Sequence, residues 1–201
     1  MNLNKYTKNT FPYLFLEMED CFTNETIKEF NDIITNKVEP YINTENYNGE
    51  RTNGNNRYFF NNQSIKDYPN IEKVKDYLLS REAVKLIESL GGIDLNNSYL
   101  RMEAILDKKT FWLKKHVDIK EKLVSFLIYI NDTNEPIENG TDIYKEDLTL
   151  FRSVPFKHNL GYMFFPSDNT WHGMEPGKNI KYRKSVLINY VTFKTDWQVK
   201  K

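Results

Sequence analysis

The chain has 201 residues, and its 28 lysines and arginines are balanced by 28 aspartates and glutamates, giving a formal net charge of zero. That balance argues against nucleic acid or an anionic membrane as the main partner, since both call for a basic footprint. The single cysteine, Cys21, excludes an internal disulfide framework, and no apolar run approaches the ~20 residues needed to span a bilayer. The opening Met1 to Tyr6 lacks the apolar stretch of a signal peptide. One soluble, cytoplasmic domain over residues 1–201 is therefore expected.

Helical signals come first. Thr23 or Asn24 can cap a helix whose apolar Ile27, Phe30 and Ile34 recur at helical spacing, with Pro40 beyond its end. Asn70 can cap a second helix carrying Ile71, Val74 and Leu78. Ser80 restarts it through Val84, Ile87 and Leu90, and Gly91-Gly92 stops it. Between the helices, Glu45 to Asn62 reads as a long polar loop around a short strand, Arg57 to Phe60, and loops of this length often serve as lids. Arg57 itself reads as a surface arginine, with a site mouth as the alternative. After Asp94 short strands follow one another: Tyr99–Leu106, Phe111–Leu113, Leu123–Ile130, Leu148–Phe151, Leu160–Phe165, Thr170–Met174 and Tyr182–Phe193. Helices followed by a run of strands suggest an α+β fold, a sandwich or barrel with helices on one side.

Three histidines occur, His116, His158 and His172. His116-Val117-Asp118 places an imidazole and a carboxylate two residues apart, on one face if the segment is extended. His172 opens a later strand. Two imidazoles and a carboxylate on one rim form a facial triad, which suits Fe(II) and tolerates zinc. On the last long strand Arg183 and Ser185 share a face with Leu187 and Asn189. An inward arginine needs a partner, either a ligand carboxylate held by its planar fork or a core-edge Asp or Glu. His158 reads as a turn histidine and Cys21 as an inert buried residue.

Together, His116-x-Asp118, His172 and Arg183-x-Ser185 resemble the Fe(II)/2-oxoglutarate-dependent oxygenase superfamily, in its prolyl-hydroxylase-like branch. Tyr129-Ile130-Asn131 looks like the Tyr-Leu-Asn strand ending of that branch, and Gly140 to Tyr144 like its glycine-led strand. Phe164 to Ser167 followed by Trp171-His172-Gly173 is similar to its approach to the distal histidine. The resemblance implies a double-stranded β-helix (jelly-roll) core over residues 96–195, with residues 1–95 supplying helical support and a lid. It implies His116, Asp118 and His172 as iron ligands. Arg183, Ser185 and Tyr129 would hold the 2-oxoglutarate cosubstrate. It further implies O2 as co-reactant, ascorbate as a possible reductant, and hydroxylation of a small molecule or an amino-acid or peptide side chain with release of succinate and CO2. Two rivals stand beside it: a non-catalytic jelly-roll module gripping an acidic ligand, and a zinc hydrolase.

Overall fold

The computed structural model describes residues 1–42, 56–108, 111–178 and 180–200. Of the expected loop and lid Glu45–Asn62, residues 45–55 lie outside the described residues. The described part contains the strand β3 introduced below. No helix among the described residues is long and apolar enough to cross a membrane.

Twelve strands and three α-helices are described. The chain opens with a hairpin, β1 (Tyr6–Asn9) and β2 (Phe15–Met18), followed by α1 (Asn24–Ile33), β3 (Arg57–Phe59), α2 (Pro69–Leu79) and α3 (Arg81–Gly91). Then come β4 (Tyr99–Lys108), β5 (Leu113–His116), β6 (Lys122–Ile130), β7 (Asp142–Tyr144), β8 (Leu150–Ser153), β9 (Gly161–Phe164), β10 (His172–Met174), β11 (Tyr182–Val191) and β12 (Trp197–Gln198). The strands form two antiparallel sheets. The major sheet runs β1-β2-β9-β6-β11-β4-β12, with β3 also paired to β4, and the minor sheet runs β5-β10-β7-β8. The arrangement is jelly-roll-like.

The N-terminal hairpin departs from the helices-first expectation. β1 is four largely exposed residues, too short and polar to show a period, and it gains order by riding on β2. β2 in turn extends the major sheet by pairing with β9. This carries Phe15 onto one face of the sheet and Leu16 and Met18 onto the other.

The helices follow simple capping chemistry, with one exchange. Thr23 caps α1 by accepting from the Thr26 amide, and Ser80 caps α3 through Ala83. Gly92 ends α3 with φ +64°, the left-handed conformation that glycine adopts without steric cost. Asn70 does not cap α2. Pro69 occupies the first turn, and the Glu29 carboxylate of α1 accepts from the amides of Asn70 and Ile71 and from the Asn70 side chain at 2.6 Å. A carboxylate at a helix N-terminus satisfies orphan donors and complements the macrodipole, so the cap is tertiary and a local motif search could not see it.

Strand alternation sorts the core into two layers. Met102, Ala104, Val124, Phe126, Ile128, Val186 and Ile188 join the helices in one apolar cluster. The opposite face of the major sheet meets the minor sheet, where Phe15, Tyr129, Ile143, Phe156, Tyr162 and Phe164 form a second cluster. That face also carries the buried polar residues Glu103, Asp107, Ser125, Arg183, Ser185 and Asn189. Arg183, Ser185, Leu187 and Asn189 share it as the two-residue period requires.

Replacing Glu29 by alanine should cost about 1–2 kcal/mol, the usual worth of a lost N-cap. Urea unfolding of the variant should show a lower midpoint with an unchanged slope.

Candidate active site

His116 is the last residue of β5 and His172 the first of β10, and the two are directly paired across the minor sheet. Their ring centroids are 4.3 Å apart. In both, Nδ1 contacts the carbonyl two residues earlier, Lys114 O at 2.8 Å and Thr170 O at 2.9 Å. A carbonyl only accepts, so Nδ1 carries the proton in each ring and Nε2 keeps its lone pair. β5 ends at His116, and Asp118 projects from the loop beyond it rather than from the strand. Even so, one ligand atom each from His116, Asp118 and His172 lies within 4.8 Å of the others. Gly173 permits this closeness: a Cβ there would stand 2.7 Å from the Leu113 carbonyl oxygen of β5.

The Asp118 carboxylate is held on both sides. Lys122 approaches Oδ1 at 2.7 Å, and the Ser125 hydroxyl donates to Oδ2 at 2.6 Å. Ser125 Oγ also lies 3.1 Å from Asn189 Oδ1, while Asn189 Nδ2 is buried with no partner among the described residues. One hydroxyl proton cannot serve two acceptors. Rotating the Asn189 amide by half a turn lets Nδ2 donate to Ser125 and resolves both contacts. The result is a directed chain from Asn189 through Ser125 to Asp118. Burial works to raise the Asp118 pKa, but the Lys122 ammonium, His172 and the Ser125 hydroxyl outweigh it and hold the carboxyl below its usual range. The His172 pKa is also lowered, here by burial, which favours the neutral ring: it falls to about 4, only partly offset by Asp118.

A cavity of about 180 Å³ opens between the sheets at this cluster. His116, Asp118 and His172 line it together with Thr141, Tyr162 and Arg183. Arg183 is 3% exposed and donates from Nε to the Asn139 carbonyl at 2.8 Å, from one terminal nitrogen to Asp107 at 2.6 Å and from the other to Thr141 at 3.3 Å. The core-edge acid foreseen as one of its two possible partners is therefore Asp107. Asp107 belongs to β4, opposite Arg183 in the β4–β11 register, a pairing 76 residues apart that no local pattern reveals. Tyr129 and Ser185 are fully buried beside the cavity and do not line it. The Tyr129 hydroxyl donates to Thr141 Oγ1 at 2.7 Å and accepts from the Thr141 amide, so Thr141 presents the polar group to the cavity. Ser185 Oγ has no hydrogen-bond partner among the described residues. Gly140, which leads into Thr141, packs so tightly that a Cβ would collide with the Val154 carbonyl.

Several lining residues were not singled out from sequence. Ser125 had a usable signal, a lone serine on the same strand face as Tyr129 in an otherwise apolar run. Tyr162 hydrogen-bonds Tyr13 at 2.7 Å, a contact that depends on the unforeseen hairpin. Arg57, read as a surface residue, instead lines the cavity. His158 is exposed in a turn and Cys21 is buried, as expected.

The low His172 pKa has a thermodynamic consequence in metal-free protein. The folded state resists a proton that the unfolded chain binds below pH 6.5, so stability is intact above that pH and falls as pH drops toward 4. The depressed Asp118 pKa adds to the loss at the acid end. Chemical denaturation of chelator-treated protein should show on the order of 2–3 kcal/mol of His172-dependent loss between pH 7 and pH 4.5. His172→Gln should flatten that part of the profile.

No protein-family model matches the chain, and no curated protein sequence does. Solved structures do. A prolyl-4-hydroxylase of Pseudomonas putida superimposes with a TM-score of 0.64 at 12% identity, covering 90% of this chain and 93% of its own. The viral collagen prolyl hydroxylase of Paramecium bursaria Chlorella virus-1, solved as its 2-oxoglutarate complex, gives 0.55 at 12% identity over 90% and 96%. A prolyl hydroxylase of Trichoplax adhaerens, in complex with a peptide fragment of the hypoxia inducible factor oxygen degradation domain, gives 0.57 at 12% identity over 89% and 83%. In fold, the chain is similar to the prolyl hydroxylases and related 2-oxoglutarate-dependent oxygenases.

Proposed function

We propose that the protein is a non-haem Fe(II)- and 2-oxoglutarate-dependent dioxygenase, built on a double-stranded β-helix, that hydroxylates an unactivated C–H bond of a small molecule or an amino-acid side chain. One domain over residues 1–201 would comprise the catalytic core, 96–195, and its support, 1–95. The observation that carries the reading is the His116, Asp118 and His172 cluster in the same cavity as a buried arginine.

The residues present fit the groups that this reading needs. Two neutral imidazoles and one carboxylate, with no thiolate, are a donor set suited to Fe(II). The Nδ1–carbonyl bonds fix both rings with Nε2 available, and the Asn189–Ser125 chain orients Asp118 in the manner of outer partners at metal sites. For 2-oxoglutarate, Arg183 keeps one unused N–H on each terminal nitrogen, since its three bonds take three of five donors. Asp107 neutralises the guanidinium, so the cosubstrate carboxylate would be selected by directed N–H groups rather than by net charge. The partnerless Ser185 hydroxyl supports a polar group nearby, and Tyr129 would act through Thr141.

Iron, 2-oxoglutarate and O2 together would supply the oxidising chemistry, with succinate and CO2 as co-products and ascorbate as external reductant. The chain's own part is positioning and exclusion of water. Phe164 packs on His172 at 4.7 Å between ring centroids, and Leu127, Leu187 and Met174 add apolar wall to the cavity. The peptide bound to the Trichoplax relative supports an amino-acid or peptide side chain as one substrate type.

Succinate released from 2-oxoglutarate by the Fe(II)-loaded protein, stimulated by members of a substrate panel, tests the activity. His172→Ala should remain folded and lose stoichiometric iron; full metal occupancy in that variant would remove His172 from the site. Arg183→Lys keeps the charge and loses the planar fork, and should weaken 2-oxoglutarate binding by about 10- to 100-fold, the worth of a charged hydrogen bond. Anaerobic titration of both proteins measures this, and equal affinities would sink the Arg183 assignment.

A further inference from the structure

Among the described residues the cavity wall carries three cations, Arg57, Lys122 and Arg183. Two have a carboxylate of their own: Lys122 pairs with Asp118 at 2.7 Å and Arg183 with Asp107 at 2.6 Å. Arg57 does not. Its only acid among the described residues is Glu103, which it contacts through one terminal nitrogen at 2.5 Å. Glu103 is 1% exposed and also takes Arg101, whose Nε lies 2.9 Å from its other oxygen. Arg101 is further tied down by the Phe59 and Phe193 rings, 4.8 and 5.8 Å from its guanidinium carbon. Two arginines therefore share one buried carboxylate, and one positive charge is left over. Because Arg101 faces an outer groove with Phe59 and Phe193 while Arg57 lines the cavity, the surplus charge is presented inward.

We infer that Arg57 is a specificity residue that binds a single anionic group, a carboxylate or phosphate, on the primary substrate. The guanidinium spends one N–H on Glu103 and has four left, enough for a bidentate contact with an oxyanion. Glu103 holds the fork in place, and Arg101 weakens Glu103 as a competitor for it. Register separates this site from the Arg183 clamp. Arg57 pairs with Ile105 on β3 at the edge of the sheet, whereas Arg183 lies on β11 opposite Asp107. Phe111, Leu113, Leu187 and Met174 line the same cavity, so the favoured substrate is an apolar body bearing one negative charge. That substrate class rests on the oxygenase reading above; the anion site itself rests on Arg57 and Glu103 and needs neither metal nor cosubstrate.

The test uses the full chain, isotopically labelled, with the backbone amide resonances of the cavity-lining residues followed by NMR, a readout that wild type and both Arg57 variants share. Propionate and methyl phosphate serve as carboxylate and phosphate probes, and propionamide as the neutral control. In protein loaded with Zn(II) and 2-oxoglutarate, one or both anions should shift a resonance saturably at millimolar concentration, and propionamide should not. The stronger of the two anions identifies which oxyanion the site prefers. Arg57→Gln should abolish the shift, and Arg57→Lys should retain binding weakened several-fold, which guards against a folding defect in the first variant. Affinity for 2-oxoglutarate should stay within twofold in both variants. Equal anion binding in wild type and Arg57→Gln, or no saturable binding in wild type, would overturn the assignment. So would displacement of 2-oxoglutarate by propionate, because the anion would then be at the clamp. Repeating the titration without Zn(II) and 2-oxoglutarate separates the two readings: anion binding that persists while those ligands fail to bind would count against the oxygenase and leave Arg57 standing.

Discussion

The central constraint is the pairing of β11 with β4 on one side and β6 on the other, two long antiparallel ladders in the middle of the major sheet. Because side chains alternate across a strand, these ladders divide the molecule into a face that must be dry and a face that can be chemical. Val186, Ile188 and Tyr190 go to the helices, and Arg183, Ser185 and Asn189 go to the opposite face, where Arg183 lines the cavity. A slip of one residue would bury the arginine under the helices and turn the isoleucine toward the His116, Asp118 and His172 cluster. Stability and chemistry therefore enforce the same register.

The cavity face also shows how a protein keeps charge in its interior. Asp107 and Glu103 are each at most 1% exposed, and each is met by a basic side chain at 2.5 to 2.9 Å. Removing one partner of such a pair strands the other in low dielectric, which is far more costly than the pair is stabilising. These contacts are best understood as devices of placement. They hold guanidinium and carboxylate groups in fixed directions around the cavity.

Much of this was legible in the chain itself, and the limits have physical causes. His116-x-Asp118, His172 and the Arg183-x-Ser185 face could be read because strand periodicity and residue chemistry are local properties. The Ser80 cap and the Gly92 stop were readable for the same reason. What escaped depends on contacts distant in sequence: Glu29 as the cap of α2, Asp107 as the partner of Arg183, and the N-terminal hairpin that brings Tyr13 to Tyr162. The inward turn of Arg57 stood only as the lesser of two readings, because a three-residue edge strand has too little pattern to tell one face from the other. Tyr129 illustrates a finer limit. Its position was recognised, but its hydroxyl is spent on Thr141, and only packing could show that one residue stands in front of another.

The two halves of the site are borne by different sheets. His116 and His172 belong to the minor sheet, Arg183 and Ser125 to the major one, and packed sheets sit roughly 10 Å apart. The spacing between the imidazole pair and Arg183 is thus not set by the polar contacts of either. It is set by the aromatic filling between the layers, where Tyr129 meets Phe156 at 5.2 Å and Phe15 meets Tyr162 at 5.8 Å. Those rings act as a gauge block. Trimming or enlarging one would change the length of molecule that fits between the two halves, so the dimensions of the cavity can drift by mutation in the hydrophobic core while every polar residue around it stays the same.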